Sequence, residues 1–78
     1  QILTRNESFA VQFENLSRQG ACVECGEHLS IDQPVLVETG NLEPFYAKIR
    51  WRRRPLYGIV FEQTLSFEEL AWLTLPAA

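Results

Sequence analysis

Six consecutive residues bring together the side chains best suited to ligand recognition, Asn15-Leu16-Ser17-Arg18-Gln19-Gly20. The Asn15 carboxamide and the Ser17 hydroxyl can each donate and accept a hydrogen bond, which is the chemistry needed to read the edge of a base. Gly20 allows a positive φ angle or a close approach of the backbone to a ligand. Asn, Ser and Gly are also the usual residues of a tight turn. The hexapeptide therefore predicts a turn, and its surroundings decide whether that turn also binds a ligand.

Two cysteines and one histidine are the other candidates for chemistry. Cys22 and Cys25 have C-x-x-C spacing, and His28 adds a third metal-ligating type. A structural zinc site needs four ligands, and alternation along a strand turns the two sulfurs to opposite faces. We interpret the cysteines as reduced strand residues and His28 as a polar loop residue without a catalytic partner. With no nucleophile and base in reach of each other, the sequence predicts a non-enzyme without a cofactor or a bound metal.

The main basic cluster is Arg50-Trp51-Arg52-Arg53-Arg54. Such a cluster could contact an anion or a guanine, with Trp51 as a stacking surface. A run of charge is more often a solvated face, and alternation with Ile49 points Trp51 into the core. We therefore predict a solvated strand face. Arg50 and Arg54 have R-x-x-x-R spacing, but they lie on a late hairpin and are not assigned a ligand role.

Length and charge narrow the classes of protein that this chain can represent. Seventy-eight residues with 46% hydrophobic and 22% charged side chains predict one small globular domain. The net charge of −3 argues against generic binding to nucleic acid, although six of the seven basic residues are arginine, which suits phosphate and guanine contacts. No apolar run could insert into a membrane and no signal peptide is visible, so a cytoplasmic location is predicted. Because the first residue is Gln, we interpret residues 1–78 as a fragment or one domain of a longer protein.

Alternating apolar residues predict six short strands before a short helix. The strands are expected over residues 1–5, 8–14, 21–25, 35–38, 45–52 and 57–62. Ser66-Phe67-Glu68-Glu69 has the pattern of a capping box, and Pro76 limits the helix that it begins. The fold class is thus mainly β, a small six-stranded antiparallel β-barrel with a short C-terminal α-helix. Closure of the barrel would remove the exposed edges of so small a sheet.

The order of these segments resembles the PilZ family. The resemblance rests on Phe9-x-Val11-x-Phe13 before the turn, Gly20-Ala-Cys-Val23 after it, Ala47-Lys-Ile-Arg-Trp51, and Tyr57-Gly-Ile-Val-Phe-Glu62. It implies a split-barrel fold and a receptor for the bacterial second messenger cyclic di-GMP. In the family, the motif Asp/Asn-x-Ser-x-x-Gly surrounds one guanine, and Asn15, Ser17 and Gly20 match it. Arg18 is expected to add charge near a phosphate, which makes Asn15, Ser17, Arg18 and Gly20 the expected ligand residues.

The family's other motif, an R-x-x-x-R pair leading into the first strand, is absent. Arg5 has no partner at that spacing, and the register of the first hairpin would place the pair several residues before Gln1. Either the pair lies outside this chain, or a divergent PilZ-like module binds the nucleotide weakly or not at all and works through protein contacts. We expect that the pair lies outside this chain. The chain is then a cytoplasmic bacterial domain that relays cyclic di-GMP binding to a protein partner or an attached effector domain.

A barrel for single-stranded nucleic acid is disfavoured by the acidic balance and by the lack of an aromatic platform on a basic face.

Overall fold

The computed structural model of the chain describes residues 2–3, 8–40 and 42–74. Its described strands form a single antiparallel sheet with the order β2-β1-β5-β6-β7-β4-β3. The elements are β1 (Ile2–Leu3), β2 (Ser8–Phe9), β3 (Gln12–Leu16), β4 (Gly20–Glu24), β5 (Pro34–Val37), β6 (Phe45–Arg53), β7 (Leu56–Phe61) and α1 (Phe67–Thr74). The five strands from β3 to β7 carry the sheet, since β1 and β2 contain only two residues each. The predicted class, mainly β with a C-terminal helix, is confirmed.

The prediction of a closed six-stranded barrel is wrong, because the sheet formed by the described residues is open. The strand expected over residues 8–14 is interrupted at Ala10 and Val11. Its two parts, β2 and β3, stand at opposite ends of the strand order. The chain therefore crosses from one edge of the sheet to the other through two residues, and no ladder between described residues joins those edges. The predicted hairpin turn at Asn6 and Glu7 lies outside the described residues.

The core lies against one face of the sheet, as the alternation predicts. Phe9, Val11 and Phe13 pack against it, while the intervening Ala10 and Gln12 are exposed. The largest fully buried side chains are those of Ile2, Val23, Leu29, Val35, Val37, Ile49 and Tyr57. The opposite face of β6, β7 and β4 is left to solvent, and we refer to it as the outer face.

Helix α1 begins at the predicted capping box. The Ser66 N–H donates to Glu69 Oε1 at 2.9 Å, and the Glu69 N–H donates to Ser66 Oγ at 3.0 Å. This reciprocal pair satisfies two backbone donors that the helix would otherwise leave free. No residue of α1 is fully buried, and Phe67 is 74% exposed. None of the described helical residues forms a helix long and apolar enough to cross a bilayer.

Candidate functional site

A row of four residues crosses the outer face beside the predicted turn. Asn15 on β3 pairs with Cys22 on β4, Cys22 pairs with Gly58 on β7, and Gly58 pairs with Trp51 on β6. Because neighbouring strands lie about 4.8 Å apart, the Cα atoms of Asn15 and Trp51 are roughly 14 Å apart. Cys22 and Gly58 are small. The row therefore has two small residues between two larger side chains, and the Trp51 indole lies over Gly58.

Two β-bulges turn the ends of this row outward. One lies between Phe13 and Asn15, where β3 gains a residue relative to β4. The other lies between Ile49 and Trp51, where β6 gains a residue relative to β7. An extra residue moves every following side chain to the other face of the sheet. Asn15 and Trp51 therefore share the outer face, although Phe13 and Ile49 face the core.

The row lies in an open trough of about 400 Å³. Ser17 and Gly20 line it beside Asn15, and Arg50 lines it beside Trp51. This volume lies within the range of small-ligand sites, roughly 300–1,000 Å³. Among the described residues, no carboxylate forms an ion pair with Arg50, so its charge is available to an anion. The trough thus joins an amide, an aromatic ring and a cation, which together suit a nucleotide.

The Ser17 side chain closes the turn between β3 and β4. Its hydroxyl accepts from the N–H groups of Gln19 and Gly20, both at 3.3 Å, and donates to the Gly20 carbonyl at 3.1 Å. The Ser17 N–H also donates to that carbonyl, at 2.9 Å. Ser17 therefore shapes the edge of the trough through hydrogen bonds inside the turn. The Asn15 carboxamide is exposed and has no hydrogen bond to any described residue, so it is the polar group that a ligand can reach.

Gly20 is required for a reason that the sequence did not reveal. Its φ angle is not positive, in contrast to one of the two roles predicted for it. Instead, a Cβ atom at this position would lie within 3.0 Å of the Ile59 carbonyl oxygen. Gly20 therefore lets β4 pass close to the backbone of β7 where the turn joins the sheet.

The structure directs the Arg18 guanidinium away from the trough. Arg18 Nε donates to the Leu65 carbonyl at 2.7 Å, and its guanidinium carbon lies 4.0 Å from the centre of the Phe67 ring. Arg18 lines a second hollow, of about 450 Å³, between the turn and Leu70 of α1. Of the four expected ligand residues, Asn15, Ser17 and Gly20 thus meet at the trough while the charge of Arg18 lies on the other side of the turn.

Trp51 and Arg50 are trough residues to which sequence reasoning gave no ligand role. The prediction that Trp51 lies in the core is wrong, because the bulge after Ile49 reverses its direction and leaves it 44% exposed. Gly58 could have indicated the reversed direction of Trp51, since a glycine inside an apolar strand often marks a bulge or a close approach of the backbone. The Trp51 indole occupies the space that a Cβ atom at Gly58 would need. An exposed aromatic surface therefore lies next to a cation, which is the alternative that the run of charge and the alternation had disfavoured.

The C-x-x-C pair is split between the two faces of the sheet, in agreement with the alternation. Cys25 is buried, while Cys22 is half-buried and forms part of the trough floor. His28 is exposed, and its Nε2 lies 3.3 Å from an Arg52 nitrogen. Within residues 2–3, 8–40 and 42–74, no group of three or more His, Cys, Asp or Glu side chains could hold a metal ion.

These features describe a small β-sheet domain with an open trough on its outer face. The sequence model of the family described as PilZ domain matches residues 1–74. Because the match covers nearly all of the chain, the chain belongs to the PilZ domain family, and the resemblance is confirmed. PilZ is a family of cyclic di-GMP-binding receptor domains rather than of enzymes. Searches of curated proteins and of solved structures gave no match.

Proposed function

We propose that this PilZ domain binds cyclic di-GMP in the trough and relays the binding event to a protein partner or an attached effector domain. The observation that carries the proposal is the cross-strand row, in which Asn15 of the family motif faces Trp51 across one trough. Family membership supplies the class of ligand. The trough supplies the groups that such a ligand needs.

Each end of the trough has a distinct role in this proposal. The Asn15 carboxamide hydrogen-bonds the edge of a guanine, and the Trp51 indole stacks on its face. Arg50 donates to a phosphate, which a guanidinium can hold with two parallel hydrogen bonds. Ser17 keeps the turn in shape, the small side chain of Cys22 leaves room for the guanine ring, and Gly58 leaves room for the Trp51 indole. Binding and relay require no bond to be made or broken, so the proposed role is not enzymatic, and the proposed location is the bacterial cytoplasm, where a messenger of this class acts.

An interaction module with little nucleotide binding is the second candidate. One observation favours it: α1 exposes Phe67 and Trp72 to 74% and 46%. Exposed aromatic residues are frequent at protein contacts. The two candidates differ in whether an upstream arginine pair creates affinity for cyclic di-GMP.

Calorimetric titration of cyclic di-GMP separates the two candidates. One sample is the 78-residue chain, and the other is the same chain extended upstream by about twenty residues that carry R-x-x-x-R, a length of roughly 65 Å when extended. We expect weak or undetectable binding to the shorter chain and a clear gain for the longer one, because two more guanidiniums would contact the phosphates and bases. Failure of the extended chain to bind would favour the interaction module.

A single-stranded oligonucleotide at low salt is the control for ligand class. The exposed Trp51 next to Arg50 is a feature that single-stranded nucleic acid also uses, although the net charge of −3 opposes it. Tight, salt-sensitive binding of the oligonucleotide would overturn the proposed ligand.

The position of the ligand can be checked with the two thiols. Cys22 lies on the trough floor, so bound cyclic di-GMP should slow its alkylation, whereas the buried Cys25 should react slowly with or without ligand. The measurement is mass spectrometry of peptides after timed alkylation of the extended chain. Unchanged labelling of Cys22 at saturating ligand would place the nucleotide elsewhere.

Asn15→Ala is expected to weaken cyclic di-GMP binding to the extended chain by roughly tenfold, the value of one hydrogen bond of about 1–1.5 kcal/mol. Stability should change little, because the carboxamide is exposed and has no partner among the described residues. Gln12→Ala is the matched control, since it removes an exposed amide from the same strand outside the trough. Equal affinities of the two variants would contradict the proposed guanine contact.

A further inference from the structure

The turn beside the trough is hydrogen-bonded to the segment that leads into α1. The Gln19 carbonyl accepts from the Phe61 N–H at 2.8 Å, and the Arg18 carbonyl accepts from the Leu65 N–H at 2.8 Å. Arg18 Nε then donates to the Leu65 carbonyl at 2.7 Å. Both backbone polar groups of Leu65 are thus bonded to one residue of the turn. Leu65 is itself buried, so the turn is attached to a fixed point of the core.

The Arg18 guanidinium also contacts the first residue of α1. It lies over the Phe67 ring with 4.0 Å between the guanidinium carbon and the ring centre, a geometry typical of a cation–π contact. Phe67 is 74% exposed, so burial in the core does not account for its position. Arg18 therefore connects the turn to Leu65, the residue before the capping box, and to Phe67 at the helix start.

We propose that Arg18 is a positioning residue that couples the ligand-binding turn to helix α1, so that occupancy of the trough alters the packing of the helix. The inference builds on the proposed function, because it assigns that site an output. Asn15 faces the trough from one side of the turn, and Arg18 faces α1 from the other. A turn that closes on a ligand would move the Arg18 guanidinium relative to Leu65, which stays in the core, and would shift Phe67 at the start of α1.

Helix α1 is the element able to respond. None of its residues is fully buried, whereas Phe61 and Leu65 belong to the core. Elements with few buried contacts change position at the least cost in free energy. The hollow of about 450 Å³ between the turn and Leu70 leaves space for such a movement. The response is therefore expected in α1 rather than in β7.

Two tryptophans allow the trough and the helix to be observed separately. Trp51 lines the trough and Trp72 lies on α1, and the chain contains no others. Trp51→Phe leaves Trp72 as the only indole and keeps a ring in the trough. In the extended chain with this substitution, saturating cyclic di-GMP should change the Trp72 emission. Adding Arg18→Ala should abolish the change while calorimetry still detects binding.

A pair of substitutions at Phe67 tests the same coupling without removing Arg18. Phe67→Tyr keeps the ring that the guanidinium contacts, and Phe67→Leu removes it while keeping an apolar side chain with good helix propensity. The Tyr variant should retain the Trp72 response, and the Leu variant should lose most of it. The Leu variant should also speed hydrogen exchange of the Gly20 amide roughly two- to fivefold, the ratio that corresponds to an exposed cation–π contact.

The outcomes distinguish the coupling from the proposed function. If cyclic di-GMP fails to bind the extended chain, the proposed function fails, and exchange at Gly20 in the two Phe67 variants still decides whether the turn and the helix are coupled. If the ligand binds but Trp72 does not respond, the relay through α1 is wrong. Identical exchange at Gly20 in the Tyr and Leu variants would overturn the role of Arg18.

Discussion

Replacing Gly20 with alanine is expected to destabilise the domain by about 1–3 kcal/mol, the range for overpacking a well-packed site. The added Cβ would lie within 3.0 Å of the Ile59 carbonyl oxygen and 3.4 Å from the Val60 Cα, and these backbone atoms cannot rotate away. Strands β4 and β7 would have to move apart. Urea denaturation should show the loss, and the Tm should fall by roughly 4–8 °C for each kcal/mol in a domain of this size.

Gly26→Ala is the matched control for this prediction. No atom lies within 4 Å of the position that its Cβ would take, and its φ angle is not positive. Alanine at such a site is expected to leave stability unchanged or to raise it by up to about 1 kcal/mol, because the unfolded chain loses freedom. If Gly20→Ala and Gly26→Ala had the same effect, the clash with Ile59 would not explain the glycine of the motif.

The parts of the fold that depend on regular local patterns could be predicted from the sequence. The alternation around Phe9, Val11 and Phe13 gave the correct buried face, and Ser66 with Glu69 gave the start of α1. These predictions succeed because period two and the capping box are local properties of the chain. Closure of the sheet is a property of strands distant in sequence. The break at Ala10 and Val11 has no Gly or Pro to mark it, so the open sheet was not predicted.

The candidate site shows the same division. The motif located one wall of the trough, at Asn15, and missed the other, at Trp51. Alternation carried across the bulge after Ile49 gives the wrong face, since one inserted residue reverses all that follow. The direction of Arg18 depends on Leu65 and Phe67, which lie 47 and 49 residues further along the chain. Contacts at that separation are fixed by the tertiary fold and cannot be read from the hexapeptide.

The two bulges explain how a regular sheet produces a ligand trough. Without them, Asn15 and Trp51 would lie on the core face with Phe13 and Ile49. With them, a polar and an aromatic side chain face each other across the two smallest residues of the row, Cys22 and Gly58. A larger residue at Cys22 would fill the trough, and one at Gly58 would displace the Trp51 indole. A residue that presents no side chain, Gly58, is therefore expected to matter for ligand binding as much as Trp51 does.

Gly58→Ala is expected to lower the affinity of the extended chain for cyclic di-GMP as much as Trp51→Ala does. The methyl group would occupy the position of the Trp51 indole, which is 44% exposed and can swing into solvent. Loss of one stacked base is worth about 1–3 kcal/mol, or roughly five- to 150-fold in Kd. Calorimetry gives the affinity. In a Trp72→Phe background, a red shift of the Trp51 emission should report the displaced indole even without ligand.

The double variant decides whether Gly58 acts through Trp51. Once Trp51 is alanine, a methyl group at position 58 has no indole to displace, so the Trp51→Ala and Gly58→Ala double variant should bind as the Trp51→Ala variant does. Such non-additivity is the signature of two residues that act on one contact. Losses that add would show that the Gly58 backbone itself contacts the nucleotide. The Trp51 indole would then still contact the nucleotide, and Gly58 would be a second contact.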